Sequence, residues 1–481
     1  MNNNRWLRSV LLTVSLFSLA LQASAQDHNR RLYDSVANRI RTSYNGHRPH
    51  EIYELTSESF RKKMTAGQFA EGMNKFFAKA GSWQSVAYKD ANEKGFDYLG
   101  KFENSDYLFS LKLDQTGRAS RINFAAAPRV IPDKVQAVKS SNRLQDSIDR
   151  MVEKVARPYI QKGNTAGLLI AWIGNDGVRR YSYGTTAAGA GKLPDADVTV
   201  FEIGSVTKTF TALLLAIEVA AGRMKLEDPV SRYLPDSIPE LEYHGTPVTL
   251  KHLASHTSGL PRLPQNIFTG NADPLNPYKH YTADSLYRFL RTHRITVGPG
   301  TKFSYSNLGA GLLGTILARQ SGKTFGRLIE ERIARPLGMM RTKVSLTPAE
   351  LQNMAQGHNE TGRGVPPWDL GPLQGSGAIR STLNDMIVYT QAQLKPGGTL
   401  KKAIELSHHA VFTGGEQRMA LGWRIDSVSG HSLLHHSGGT GGFRSFVGLD
   451  TSRGMGIVIL SNAAEEVTEL GMELLTRQKA H

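Results

Sequence analysis

The sequence predicts two unlike folded units. A small α+β domain is expected over residues 26–127. After a linker over 128–141, a larger α/β domain is expected over 142–481, with a sheet flanked by helices and one largely helical lobe. Three observations carry this expectation. The chain has 481 residues, more than one domain of the usual ~100–200 residues. Apolar spacing within the first unit switches from helical to period two. In the second unit strand-like runs lie near both ends with a mostly helical stretch between, so the sheet draws on both ends.

In the first unit Leu32, Val36 and Ile40 recur at helical spacing, as do Phe69, Met73 and Phe76–Phe77. Phe96, Tyr98 and Phe102 then alternate, followed by Tyr107, Phe109, Leu111 and Leu113. Asp114–Gly117 marks a turn, after which Ile122 and Phe124 resume. Helices followed by an antiparallel meander resemble, in pattern, the small nuclear-transport-factor-like cone folds. No cluster of catalytic residue types occurs here. The stretch from Ala127–Pro128 to about Ser141, with two prolines and few apolar anchors, reads as the linker.

The second unit should open with a helix near Leu144–Ile160 and an apolar strand, Leu168–Ile173. Asn175-Asp176-Gly177 is a hairpin turn signal, and Val178–Tyr183 is the return strand. Strand runs reappear at His431–His436, Phe443–Leu449 and Met455–Leu460, the last two joined by a turn over 450–454. Ala463–Leu475 reads as a closing helix.

The first residues read as an export leader. Arg5 and Arg8 form a positive start, Val10 to Leu21 is mostly apolar and uncharged, and Ala23-Ser24-Ala25 supplies the small-x-small cleavage pattern. Residues 1–25 are therefore expected to be removed as a signal peptide, placing the protein in the periplasm or outside the cell. An uncleaved N-terminal anchor is the alternative, although the apolar run is shorter than the about 20 residues of a spanning helix. Once the leader is gone, no stable membrane insertion is expected. The absence of cysteine excludes disulfides, thiolate metal sites and a lipidated cysteine after the leader. Net charge is +16, two of it from the leader. Arg61-Lys62-Lys63, Arg179-Arg180 and Lys401-Lys402 are scattered clusters without interleaved aromatics, which argues against a nucleic-acid partner. A basic surface suits anionic envelope polymers or simply solubility.

Chemistry concentrates in three short segments. The first is Phe201-Glu202-Ile203-Gly204-Ser205-Val206-Thr207-Lys208, at the start of a helix whose expected buried stripe is Phe210, Leu213, Leu214, Ile217 and Ala221, closed by Gly222. Ser205 and Lys208, three residues apart, share one helix face. Serine needs a neighbour to take its proton, and burial lowers a lysine pKa enough for it to serve. The helix N-terminus also presents free N–H groups to a developing oxyanion. Ser59-Phe60-Arg61-Lys62 has the same spacing but reads as a solvated helix face.

The second segment is Tyr305-Ser306-Asn307, between Gly298-Pro299-Gly300 and the glycine-rich Gly309-Ala310-Gly311. A tyrosine beside a lysine relays protons because the cation lowers its pKa, and an asparagine offers a donor and an acceptor to an amide. A turn tyrosine packed on the core is the plain alternative. The third segment is Leu434-His435-His436-Ser437-Gly438-Gly439-Thr440-Gly441-Gly442-Phe443. Its glycines after a strand mark close backbone approach or, equally, a glycine-rich hairpin. Gly439 N–H is a candidate oxyanion donor and His436 a candidate for the substrate's polar end. Neighbouring strand histidines face opposite ways and no H-x-H or H-E-x-x-H accompanies them, so a metal site is not expected; no cofactor is expected either.

Together and in this order, the three segments resemble the active-site-serine penicillin-recognising superfamily, most closely its class C β-lactamase-like branch of β-lactamases, DD-peptidases, D-aminopeptidases and esterases. Ser205–Lys208 matches its S-x-x-K, Tyr305–Asn307 its Y-x-N, and His436-Ser437-Gly438 its K-T-G or H-x-G. Leu253–Pro261, with His256-Thr257-Ser258-Gly259-Leu260, resembles its L-x-x-H-T-S-G-L. Pro336-Leu337-Gly338-Met339 with Thr342 and Gly375–Thr382 resemble two further signatures, so the likeness spans roughly 145–478.

The resemblance implies a β-lactamase/transpeptidase-like antiparallel sheet flanked by helices. It implies Ser205 as acyl-forming nucleophile and Lys208 and Tyr305 as proton carriers. It also implies Asn307, His436, Ser437, Gly438 and Gly439 as substrate-binding groups, with the N–H groups of Ser205 and Gly439 as oxyanion donors. His436 stands where many lactamases carry lysine, and an ordinary histidine is only partly charged near neutrality. The expected substrate is therefore a small molecule or peptide: a D-amino-acid peptide, a β-lactam or an ester. A carboxylesterase with the same site, or a non-catalytic penicillin-recognising sensor, remains open. No G-x-S-x-G of an α/β-hydrolase occurs.

Overall fold

The computed structural model describes residues 29–92, 95–127, 138–268, 273, 275–428 and 430–477. The expected leader and most of the expected linker lie outside these residues. The chain divides into two compact units, the first ending at Ala127.

In the first unit, helix α1 (29–45) and helix α2 (Ala66–Ala80) accompany an antiparallel meander of β1 (Trp83–Asn92), β2 (Gly95–Phe102), β3 (Asp106–Leu113) and β4 (Ala119–Ala126), in that order. Thr65 and Gln68 close a reciprocal capping box on α2. The core is aromatic: Trp83 stacks on Phe102 at 4.9 Å and meets Phe109 edge-on at 5.0 Å. Two departures from the sequence reading have clear causes. Leu32 is exposed, because the buried face of α1 runs through Tyr33, Val36, Ala37, Ile40 and Tyr44. β1 escaped notice because irregularities between Trp83 and Ser85 and between Tyr88 and Asp90 break its alternation.

In the second unit, helix α3 (Ser147–Ile160) begins at Asp146, whose carboxylate accepts from the N–H groups of Ile148 and Asp149. The hairpin of β5 (Gly167–Gly174) and β6 (Gly177–Gly184) follows. Residues at the end of the expected linker run along β6, with Ser140 paired to Tyr183 and Ser141 N–H donating to Ser182 O. The short strand β7 (Phe201–Glu202) leads into helix α4 (Thr207–Ala220), and helix α5 (Asn307–Ser321) belongs to the helical lobe. β8 (Arg380–Ser381), which pairs with β7, precedes helix α6 (Leu383–Leu394). After helix α7 (Lys401–His408) come β9 (Phe412–Gly414), β10 (Gln417–Met419), β11 (Arg424–Val428), β12 (His431–Gly439), β13 (Arg444–Asp450) and β14 (Met455–Ser461), then helix α8 (Thr468–Thr476).

The main sheet has eight antiparallel strands in the order β9-β10-β11-β12-β13-β14-β5-β6. β14 pairs with β5, joining the two ends of the domain. Alternate residues face opposite layers. Leu168, Ile170, Trp172, Ile457 and Ile459 pack with α3 and α8. Leu169, Ala171, Ile173, Val458 and Leu460 pack with α4, α6 and the helical lobe.

Helix α4 differs from the single buried stripe expected of it. Residues 207–216 are all buried, whereas Ile217 is half-buried and Ala221 is exposed. A helix apolar all round belongs inside a core, and α4 is covered by α5, α7 and the turn Gly371–Ser376. Gly222, with φ +71°, ends it as expected. Phe210 on α4 stacks on Tyr389 at 3.9 Å and is fully buried. Phe210→Ala is expected to cost about 3–5 kcal/mol, measured as a lowered urea midpoint for the unit beginning after Ala127.

Candidate active site

Ser205 occupies a single 3₁₀ turn, Gly204–Val206, immediately before α4. It is half-buried, whereas Lys208 one turn on is only 2% exposed. Lys208 Nζ donates to Ser205 Oγ at 2.9 Å and to the carbonyl of Ser376 at 2.7 Å. Thr211 Oγ1 donates to the neighbouring Gly375 carbonyl at 2.7 Å, so α4 holds the turn that supplies the lysine's second partner. No carboxylate among the described residues accompanies Lys208. Burial therefore pulls its pKa below the ordinary lysine value, and the charge of Arg262 adds to this, against an opposing pull from Tyr305.

Tyr305 and Asn307 flank the N-cap of α5. The intervening Ser306 is fully buried; its Oγ accepts from Gly309 N–H at 2.8 Å and donates to Pro261 O at 2.7 Å. Its own N–H donates to His256 Nδ1 at 3.1 Å. Tyr305 is thereby fixed with Lys208 Nζ 4.9 Å from its ring centroid. Burial alone raises the Tyr305 pKa. The Lys208 charge, hydrogen bonds to Lys208 and Ser205, and the Arg262 charge outweigh this and bring it below the ordinary tyrosine value. Asn307 interacts with the Tyr278 hydroxyl, while its Oδ1 is buried without a partner. Buried acceptors are rarely left so, which marks this atom as waiting for a donor.

The third segment is strand rather than hairpin up to Gly439. β11 pairs with β12 only as far as His435, so residues 436–439 keep one edge free of a named strand. Thr440 N–H donates to Phe443 O across the hairpin. By the alternation of antiparallel pairs, Gly439 N–H then points away from β13. The approach of this edge to the serine turn depends on two glycines. A Cβ on Gly438 would lie 2.1 Å from Ile203 O and 3.0 Å from Ser205 N, and one on Gly204 would lie 2.6 Å from Gly439 N. Gly204 also has φ +46°, a conformation that favours glycine. The backbone nitrogens of Ser205 and Gly439 thus both lie at this contact.

His436 is 4% exposed, with its ring centroid 6.4 Å from that of Tyr305. Burial first, and then the Lys208 charge, push its pKa down to about 3 despite its Nδ1 contact with Ser437 O at 2.6 Å. The expectation of a partly charged His436 is therefore corrected: at neutral pH the ring carries no charge. His435 points the other way, to Asp426 at 2.9 Å. No cluster of three or more metal-ligating side chains occurs among the described residues.

Sequence reasoning quoted His256 and Ser376 only within signature segments and did not foresee their contacts. His256, at φ +59°, is fully buried with its ring 4.4 Å from Tyr305. Because Nδ1 accepts a hydrogen bond, the ring is neutral with its proton on Nε2. Arg262, just past the Leu253–Pro261 signature, is not among the site residues the sequence reading names; its guanidinium lies 5.1 Å from the Tyr305 ring centroid.

Comparison with known proteins gives a consistent picture. The family model described as Beta-lactamase matches residues 152–480. A β-lactamase from Pseudomonas fluorescens is 29% identical over 351 residues, covering 66% of this chain and 93% of that protein. The D-alanyl-D-alanine-carboxypeptidase/endopeptidase AmpH of Escherichia coli (strain K12) is 30% identical over 343 residues, covering 68% and 86%. Among solved structures, a β-lactamase/D-alanine carboxypeptidase from Pseudomonas syringae superposes with a TM-score of 0.61 at 25% identity, covering 70% of this chain and 100% of that one.

Gly438→Ala tests the close approach. The methyl has no room against the backbone of Ile203, so a cost of about 1–3 kcal/mol and at least a tenfold loss of hydrolytic rate are expected. Thermal unfolding and steady-state kinetics on one preparation measure both.

Proposed function

Since the chain belongs to the β-lactamase family of serine hydrolases, we propose that it works through an acyl-enzyme on Ser205, with amides or esters of D-amino-acid peptides as substrates. The observation that carries this reading is the fully buried Lys208, hydrogen-bonded to Ser205 Oγ and to a backbone carbonyl with no acid to hold its charge.

In its neutral form Lys208 keeps one N–H on the Ser376 carbonyl and turns its lone pair to Ser205. The serine proton moves to the Lys208–Tyr305 pair as Ser205 Oγ attacks the carbonyl carbon. The negative charge that develops on the carbonyl oxygen is met by the N–H groups of Ser205 and Gly439 and by the N-terminal end of α4. Tyr305, with its depressed pKa, passes the proton to the departing nitrogen or oxygen. Asn307 Oδ1 accepts from the N–H of the acyl part. His436 and Ser437 line the edge against which the substrate lies. Water then attacks the acyl-enzyme, with the same pair taking its proton. No cofactor enters the scheme.

β-Lactams present a strained amide in place of the ordinary peptide bond and should acylate Ser205. An ester substrate is the second reading, favoured by the uncharged His436, which offers no cation to a substrate carboxylate. The features of residues 1–25 support export, and no described helix is long and apolar enough to cross a membrane. The division at Ala127 supports a separate N-terminal domain.

Intact mass after incubation with a penicillin tests the proposal. The expected result is a gain of one lactam, or fast loss of lactam absorbance, in the wild type and neither in Ser205→Ala, whose turnover should fall by at least about 10³-fold. Unchanged lactam or ester turnover in Ser205→Ala would contradict it.

A further inference from the structure

With His436 uncharged, the cations around Tyr305 become decisive. Lys208 is buried and engaged with Ser205 and Ser376. Arg424 donates to Gln417 Oε1 at 2.8 Å and lies over Phe303 at 5.5 Å. Arg262 differs from both. It is exposed, no carboxylate among the described residues pairs with it, and its guanidinium rests on the Tyr305 ring. Its position is fixed from below, because its carbonyl accepts from the N–H groups of Asn307 and Leu308 at 2.9 and 3.1 Å, at the start of α5.

We propose that Arg262 is a specificity residue that receives an anionic group on the leaving fragment, so that the enzyme favours substrates releasing a product with a free carboxylate. The argument rests on the reading of Tyr305 as proton carrier given above. Acylation forms the Ser205 Oγ–carbonyl bond and breaks the bond to the leaving nitrogen. The serine proton travels through Lys208 and Tyr305 to that nitrogen. The leaving atom must therefore reach the Tyr305 hydroxyl, and the fragment attached to it extends past the ring that Arg262 covers. A planar guanidinium with free N–H groups there suits a carboxylate. An unpaired cation close to Lys208 and Tyr305, whose pKa values its charge lowers, also gains from an incoming anion. Such a product is an amino acid freed from the end of a peptide.

The test uses two substrates with one acyl part: an acyl-D-alanyl-D-alanine and the same peptide ended as D-alaninamide. The readout is the ratio of their kcat/KM values, together with hydrolysis of p-nitrophenyl acetate. The wild type is expected to prefer the acid at least tenfold. Arg262→Gln should reduce that preference at least tenfold, mainly through KM, and Arg262→Lys should fall between. A wild-type ratio near one, a ratio unchanged in Arg262→Gln, or a preference abolished by Arg424→Gln instead would overturn the proposal. So would a wild type that hydrolyses the ester but neither peptide. In each of these cases, ester hydrolysis lost in Ser205→Ala leaves the acyl-enzyme reading standing. Ester hydrolysis that survives in Ser205→Ala removes both.

Discussion

The burial of one lysine without an acid governs the second unit. Taking an ammonium group out of water costs several kcal/mol unless it is paired or loses its proton. Lys208 is offered a hydroxyl, a carbonyl and a tyrosine, none of them a standing negative charge. The surrounding structure maintains this condition. Residues 207–216 of α4 are enclosed on all sides, and the turn Gly371–Ser376 is held to α4 through Thr211. The serine turn is clamped to β12 by glycine contacts and to β13 by Ser445 Oγ, which donates to Ile203 O at 2.7 Å. Energy used to keep the lysine dry returns as a base weaker than an ordinary lysine, and so more readily present in its unprotonated form.

The same logic extends to the histidines. His256 and His436 lie close enough to Lys208 for its charge to depress both, and burial does the larger part. Two neutral imidazoles therefore wall the site without adding charge to it. His256 serves as an acceptor for the N–H of Ser306, which anchors the start of α5 and with it Tyr305 and Asn307. A charged histidine at either place would press Lys208 further toward deprotonation and would cost desolvation twice.

Much of this was legible because it is local. Ser205 and Lys208 are one helical turn apart, so spacing alone puts them on a common face. Tyr305 and Asn307 straddle a serine cap for the same reason, and the strands of the main sheet show apolar runs long enough to read. What escaped depends on distant chain. The Ser376 carbonyl that completes the lysine's contacts is 168 residues away. The charge state of His436 follows from burial, which composition does not reveal. β1 and the short strands β9 and β10 are too irregular or too brief to show alternation. On α1 Val36 and Ile40 are buried as their spacing suggested, and Leu32 alone of the three is exposed, Tyr33 taking its place on the buried face. Arg262 reads as one more basic residue until the ring of Tyr305 is found beneath it.

The most direct test of the account is the pH dependence of the acylation rate of Ser205, followed by stopped-flow with an activated ester. Lys208 must be unprotonated to accept the serine proton, so the rate rises with pH through the titration of the Lys208–Tyr305 pair. Both members lie below their ordinary values of 10.5 and 10.0, so the account predicts a midpoint below the ordinary lysine value of 10.5. It also predicts no further inflection near 6.5, because His436 is pushed down to about 3. A midpoint at or above 10.5 would mean that the lysine is an ordinary ammonium group in this site, and would contradict the account.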